Sequence, residues 1–415
     1  MIKHAEEWYQ RYFESYSTKN YEIFIEKMRQ AIGHDYKLSN TPLFLSQNRF
    51  NRLTSIANSV VKLLQSPIYQ KQVTATGWFL PQNQMQTTDY FGDIEFHLSP
   101  SEEKIMEINF NPPGLVGLLE VLESSFLEAF EILPTLRVNQ GFEKLFAETI
   151  SENFKHKKIA IGVSHLSSSR PYYPHYKYFE KILGKYGIDG RVFYARDVEL
   201  GKENLPVWNG DYFEKIFNLL IVKVWQDRPK AFFNYTKVYQ HHPELFFLNP
   251  LGWKLGNKSI LSVFHNIEHD PLGLSAEDVE NIKKASLKSY LLSSFTSAED
   301  VVEEFGCQER IVLKPLNNYQ AKGVEIKPSF ETIKNVFAKQ RDNYIVQEYF
   351  APGKLPSPQN ISPLILNQSP DIVKTERLFS LRIGFFNGKS FGARAYTFTD
   401  PPTYGALMPV VVVQD

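Results

Sequence analysis

The chain has 415 residues, a single cysteine, and 46 basic side chains against 46 acidic ones. At roughly 150 residues per domain, that length predicts two or three domains with ample core. Zero net charge argues against a protein dominated by attraction to nucleic-acid phosphates, and a lone Cys307 excludes a disulfide framework or a Cys-rich zinc site. The amino terminus has no apolar core of signal-peptide type, and apolar runs such as LVGLLEVL (115–122) are too short to span a membrane. A reducing, cytoplasmic setting is therefore expected. Residues 1–70 read as helical, with Trp8, Phe13, Tyr21, Phe24 and Met28 at three- and four-residue spacing. In 72–110 the character changes: ATGWFLP, DIEFHL and KIMEINF alternate or run apolar at strand length. A helix is expected after Gly114.

A second unit starts near 156. IAIGV reads as a buried strand, and YYPHYKYFEKILGKYG as an amphipathic helix closed by Gly187. DGRVFYARD is the next strand, DYFEKIF a short helix, and FNLLIVKVWQD a further strand. Strand, helix and strand at these spacings predict a parallel α/β layer, whose carboxyl edge collects ligand-binding loops. The loop SHLSSSRPYYPH (164–175) would lie on that edge, with Ser164 and Arg170 as candidate binders of a substrate carboxylate. An ordinary polar loop before a helix is the competing reading. Beyond 250, NPLGWKLGNKSILSVF leads into a helix, and Ser297 with Glu299 and Asp300 marks another helix start. RIVLKPL, YIVQEYF, FSLRIGFFNGKSFGARAYTF and MPVVVVQD read as strands, and 352–370 as a long loop.

Five groups of residues carry possible chemistry. Read as a hairpin turning at SPSEE, DIEFHL and KIMEINF place Asp93 and Glu95 on one face, with Glu107 and Asn109 beside them. Such hard oxygen ligands suit Mg²⁺ bridging nucleotide phosphates; the alternative is a solvated outer face of the hairpin. Lys258 at a helix start and Lys314 at a strand end are candidate phosphate cations, or ordinary surface lysines. NNYQAKGVEI (317–326) could fold Lys322-Gly323 over phosphates, or be a plain hairpin. YIVQEYF could run beside an adenine, or be one more core strand. Arg382 lies in an apolar strand and needs an anionic partner, as does Arg394 in its similar setting.

Together these residues resemble the ATP-grasp enzymes. In the common order of that family the Glu-x-Asn metal strand comes last, whereas here Glu107-Ile108-Asn109 stands near the start and Lys314-Pro315 and YIVQEYF near the end. That order is similar to the circularly permuted ATP-grasp enzymes, notably the glutathionylspermidine synthase group. NPLGWKLGNKSIL, VLKPL with KGV, IVQEYF and SLRIGFFNG each resemble a stretch of that group. The resemblance implies a mixed α/β ATP-grasp fold with a helical segment (1–70), a metal-binding part (71–150), a parallel α/β substrate-side unit (151–250) and a nucleotide-binding part (251–415). It implies that Asp93, Glu107 and Asn109 hold Mg²⁺. Lys258, Lys314 and Lys322 would contact the phosphates of ATP, and Gln347, Glu348 and Tyr349 would frame adenine and ribose. Arg382 would be catalytic. The implied activity is an ATP-dependent ligase that joins a small acid to an amine (amino acid, short peptide or polyamine) through an acyl phosphate. A nucleotide-binding sensor or scaffold without ligase activity is the rival. An acid–base carbohydrate enzyme would explain the carboxylates and leave the Lys-Pro, Gln-Glu-Tyr and arginine strands without a role.

Overall fold

The computed structural model describes residues 6–33, 35–74, 91–110, 116–164, 173–248, 250, 252–267, 273–317, 322–358, 374–386, 388–398 and 404–414. The chain opens with helices α1 (Glu6–Ser15) and α2 (Thr18–Ile32). Ser17 starts α2 by accepting from the Asn20 N–H, and Gly33 ends it in the left-handed region. A short strand, β1 (Leu43–Ser46), precedes α3 (Gln47–Gln65) and α4 (Pro67–Thr74). The helical reading of this segment therefore holds except at Leu43–Ser46. Those four buried residues run parallel to the last strand, so sheet pairing decides their conformation. The expected strand at ATGWFLP lies outside the described residues.

Next come β2 (Phe91–Leu98), β3 (Glu103–Phe110), α5 (Leu119–Phe130) and α6 (Phe142–Ile150). The second unit holds β4 (Lys158–Val163), α7 (Tyr173–Lys185), β5 (Asp189–Tyr194), β6 (Glu199–Leu200), β7 (Pro206–Trp208), β8 (Asp211–Tyr212) and β9 (Lys215–Leu219). It continues through α8 (Val222–Asp227), α9 (Phe233–His241) and β10 (Phe246–Phe247). Strands β10, β9, β4 and β5 form the parallel sheet in that order. The chain around β9 departs from expectation. DYFEKIF is not a helix: its second half is β9, buried on both faces at the sheet centre. The strand stops at Leu219, and VKVWQD coils into α8. A central parallel strand has no polar face, so Phe213, Ile216 and Phe217 imitate helical spacing without making a helix.

The rest comprises α10 (Gly252–Leu255), α11 (Ile260–His265), α12 (Ala276–Ala285), β11 (Ser289–Leu291), α13 (Ala298–Phe305), β12 (Ile311–Pro315), β13 (Glu325–Ile326) and α14 (Phe330–Gln340). It ends in β14 (Tyr344–Glu348), β15 (Gly353–Pro358), β16 (Lys374–Phe386), β17 (Lys389–Phe398) and β18 (Tyr404–Val413). Ser297 and Asp300 close a capping box on α13, as their spacing predicts. The presumed loop from 352 begins instead as β15, paired with β16; its two prolines sit on an edge strand, where a missing donor is tolerated. Strands β11, β14, β12 and β13 form a four-stranded antiparallel sheet with its own core around Val301, Phe305, Leu313, Ile333 and Val346.

Among the described residues, the largest sheet has seven strands and links chain segments far apart in sequence. Its order is β1-β18-β17-β16-β2-β3, with β15 also on β16. Strands β2 and β3 come from the first 110 residues of the chain, and β15 to β18 from its last 65. Their junction, β16 on β2, is tight. At Gly92 an added Cβ would lie 2.4 Å from the Asn109 carbonyl and from the Phe385 ring, so only glycine fits. Among the described residues, no helix is long and apolar enough to cross a membrane.

Candidate functional site

The strand register builds the site. Asp93 lies opposite Asn109, and Glu95 opposite Glu107, across β2 and β3. Arg382 lies opposite Glu95 on one side and Arg394 on the other. Glu107, Glu95, Arg382 and Arg394 therefore make one row across four strands. Two arginines directly opposite each other would repel, and the carboxylates of β2 offset this. Arg382 donates to Glu95 at 2.6 Å and lies 3.8 Å from Asp93 and 4.0 Å from Glu107. Arg394 pairs with Asp93 at 2.5 Å and donates through Nε to the Tyr396 hydroxyl at 2.9 Å. The Tyr396 ring also lies 4.9 Å from the Arg382 guanidinium.

This face is not the solvated outer face of a hairpin. Asp93 and Arg394 are fully buried, and Arg382 is 11% exposed. The antiparallel four-stranded sheet closes over it. Lys314 reaches from β12 to donate to the Met106 carbonyl of β3 at 2.9 Å and to Gln347 Oε1 at 2.6 Å. Lys258, just ahead of α11, lies 3.9 Å from Glu107. His97 Nδ1 meets the Phe350 carbonyl at 3.1 Å, a second tie between the two sheets. Four cationic side chains (Lys258, Lys314, Arg382, Arg394) thus face three carboxylates (Asp93, Glu95, Glu107).

Burial and charge act on these groups in opposite directions. Burial pushes the Glu107 carboxyl up, but Lys258, Arg382, Lys314 and a hydrogen bond from Asn109 outweigh it and hold the carboxyl below the usual range. Burial wins at Glu95, whose carboxyl is raised despite Arg382. It also lowers Lys314, to about 8, and His97, to about 4. Burial opposes the charge on Arg382, but Glu95 and Asp93 more than restore it.

Among the described residues, buried donors of the site that lack an acceptor include Arg382 Nε and Gln347 Nε2. Another such donor, His175 Nδ1, lies at the start of α7, where Nε2 of the same ring accepts the Gly117 N–H at 3.1 Å. Burial lowers His175 to about 3, so the ring is neutral. Orphaned buried donors are rare because each costs about 1–3 kcal/mol. A ligand bearing acceptor oxygens would match them.

The structure therefore gathers Asp93, Glu107, Asn109, Lys258, Lys314, Gln347 and Arg382. Lys322 is exposed in the turn that follows β12. Glu348 points its carboxylate at Arg310, and the N–H groups of Glu348 and Tyr349 are spent on the Lys288 and Arg310 carbonyls. Reading a base would fall to carbonyls and side chains there. Ser164 is buried at the carboxyl end of β4; Arg170 lies outside the described residues. Sequence reasoning missed His97 and Tyr396. Both were within reach of strand alternation, since His97 continues the Asp93, Glu95 series and Tyr396 follows Arg394 by two.

Among the described residues, no group of three or more His, Cys, Asp or Glu side chains is arranged to hold a metal. A smaller donor set is present. Glu107 is ionised, and Asn109 directs its amide nitrogen at Asp93, 2.9 Å away, which leaves its carbonyl oxygen as an acceptor. One or two carboxylates suffice for Mg²⁺ when nucleotide phosphates and waters complete the octahedron, so these residues fit that ion.

No protein-family model matches this chain, and no curated protein sequence does. The fold does have a relative. A glutathione synthetase-like effector from Globodera pallida, in its apo form, superposes with a TM-score of 0.61 over 96% of this chain and 99% of its own, at 12% identity. A gamma-glutamylcysteine synthetase-like protein from Methylobacillus flagellatus KT gives 0.42, at 11% identity over 88% of this chain and 86% of its own. The ATP-grasp ligase PsnB with its minimal precursor gives 0.32, at 10% identity over 61% and 90%. The mixed α/β architecture with several sheets is thus shared with the effector.

Proposed function

We propose that this chain is an ATP-dependent ligase that joins a carboxylate to an amine through an acyl phosphate. One observation carries the reading. Lys258, Lys314 and Arg382 converge on the ionised Glu107 between two sheets, with the Arg382 Nε and Gln347 Nε2 donors still unmatched. A polyphosphate supplies the missing acceptors, and a cation bound to it matches Glu107 and the Asn109 oxygen.

In this reading residues 71–150 carry the metal end, 151–250 the acid-binding loops, and 251–415 the nucleotide end, with 1–70 as a helical support. The Glu-x-Asn strand preceding the nucleotide lysine in sequence supports a permuted ATP-grasp order of the glutathionylspermidine synthase kind. Glu107 and Asn109 hold Mg²⁺. Glu95, directly opposite Glu107, is better placed as the further carboxylate than Asp93, whose two oxygens are taken by Asn109 and Arg394. A divalent cation held by these residues would supply charge neutralisation to the transferring phosphate. Lys258 and Lys314 contact the phosphates, and Lys322 covers them from its turn. Gln347, Glu348 and Tyr349 border the adenosine.

The chemistry balances as two displacements. A carboxylate oxygen of the acid attacks the γ-phosphorus and ADP leaves. The amine then attacks the acyl carbon, loses a proton, and expels phosphate that keeps the attacking oxygen. Arg382 faces the charge that develops at phosphorus, where a fixed guanidinium stabilises the transition state without reorganising. Ser164 and Arg170, on the loop after β4, hold the acid's carboxylate end. The test is phosphate release from ATP across amino acids, short peptides and polyamines. A signal needing both an acid and an amine is expected. Tight Mg²⁺·ATP binding without release under any pair would favour the sensor reading.

A further inference from the structure

The roles of the two carboxylates on β2 can be separated by following each hydrogen bond from Asp93. That side chain is wholly buried in the centre of the sheet. Oδ1 accepts the Asn109 amide nitrogen from the residue directly opposite, at 2.9 Å, and Oδ2 accepts Arg394 at 2.5 Å. Arg394 is itself held by the Tyr396 hydroxyl on its Nε–H, at 2.9 Å. The result is a relay running from the half-buried Tyr396 through the buried Arg394 and Asp93 to the half-buried Asn109.

The relay has a chemical direction. As the partner of a guanidinium, the Asp93 carboxylate accepts hydrogen bonds only. It can therefore meet the NH₂ end of Asn109 and never the oxygen end. Turning that amide over would set its carbonyl against a carboxylate, a repulsive contact in a buried place. The Asn109 oxygen is in this way kept on the side away from Asp93. An asparagine on an exposed strand would rotate between its two amide orientations at little cost. Here the Asp93–Arg394 ion pair selects one, and Glu107, which also takes a hydrogen bond from the Asn109 side chain, favours the same orientation.

We propose that Asp93 is a positioning residue, not a metal ligand: held by Arg394, it fixes the Asn109 amide with its oxygen presented to the nucleotide-bound cation. This rests on the ligase reading, in which Glu107 and Asn109 hold that cation. It assigns Arg394 and Tyr396 a function at a distance, since neither needs to touch the metal. Such supporting partners commonly change metal affinity by 10- to 100-fold, less than loss of a ligand does.

The probe is Mn²⁺ with the non-hydrolysable nucleotide AMP-PNP, with bound Mn²⁺ followed by electron paramagnetic resonance on the full chain. The informative variant is Asp93→Asn with Arg394→Gln, which removes both charges together and leaves no buried ion unpaired. The relay predicts Mn²⁺ binding weakened about 10-fold, AMP-PNP affinity without metal within twofold, and a much larger Mn²⁺ loss in Glu107→Gln. Unchanged Mn²⁺ affinity would make the pair a purely structural one. A loss equal to that of Glu107→Gln would make Asp93 a direct ligand; either outcome overturns the proposal. If the double variant does not fold, Tyr396→Phe removes only the hydroxyl that holds Arg394. Two- to fivefold weaker Mn²⁺ binding is then expected, and no change overturns the relay. Failure of the wild-type chain to bind Mn²⁺ with AMP-PNP would remove the ligase reading itself, a result distinct from either variant outcome.

Discussion

The parallel sheet and the charged row of the seven-stranded sheet both bury polar side chains, but they treat them differently. In the parallel sheet, Asn218 gives its amide nitrogen to the Leu248 carbonyl and takes the Tyr235 hydroxyl on its oxygen. Lys215 is likewise spent on Glu152 and the Glu244 carbonyl. These groups are balanced within the protein. The site built on the charged row brings four cations (Lys258, Lys314, Arg382, Arg394) against three carboxylates and leaves Arg382 Nε and, from the facing sheet, Gln347 Nε2 unmatched. In the parallel sheet these polar atoms are matched within the protein, whereas a binding site keeps a remainder for its ligand. His175 Nδ1, at the start of α7, the helix that follows β4, is a further unmatched donor.

The comparison breaks first at Glu107. Glu107→Gln should fold normally and lose at least about a thousandfold in Mg²⁺-dependent phosphate release, as expected when a cation stabilising the transition state loses its anchor. Turnover within tenfold of wild type in a folded variant would move the site elsewhere. Next is Arg382. Arg382→Leu strands Glu95 beside Glu107, so about 3–5 kcal/mol of stability should go with the activity. Arg382→Lys keeps a charge and should lower kcat about a hundredfold while sparing most of the stability. Equal kcat in the lysine variant would mean Arg382 serves only as a counterion.

Lys314 sharpens the comparison through pH. Its lowered value, about 8, means that it carries its charge below pH 8 and loses it as pH rises through 8. Nucleotide affinity should therefore weaken above pH 8 in the wild type. Lys314→Met should bind about tenfold more weakly at pH 7 and lose that pH dependence. A wild-type profile that stays flat to pH 9.5 would argue against phosphate contact. The smallest effect on function belongs to the scaffold. Asn218→Leu leaves the Tyr235 hydroxyl and the Leu248 carbonyl unpaired, which should cost about 1–3 kcal/mol in thermal or denaturant unfolding. The KM for ATP should stay within twofold, and a larger shift would blur the division between scaffold and site.

Much of this was legible in the sequence, for identifiable reasons. Strand alternation put Asp93 with Glu95 and Glu107 with Asn109, and the register confirms both faces. Arg382 needed an anion because it stood in an apolar strand, and Glu95 is that anion. What alternation could not supply was pairing between distant segments. Nothing local says that β16 lies on β2 or that Lys314 reaches Met106. The hidden division of labour between Asp93 and Glu95 depends on Arg394, some 300 residues away. Local pattern also misread β9, because Lys215 and Asn218 interrupt an apolar run that only the folded sheet explains.

The central claim is that a carboxylate is activated by ATP, and one isotope measurement addresses it directly. Amino acids and short peptides labelled with ¹⁸O in their carboxylates are supplied with ATP, Mg²⁺ and an amine. If an acyl phosphate forms, the phosphate released from the productive pair carries one labelled oxygen, and the amide product retains the other. Phosphate free of label, in a reaction that still consumes ATP, would mean that water attacks the γ-phosphorus and that the chain is not a ligase of this kind.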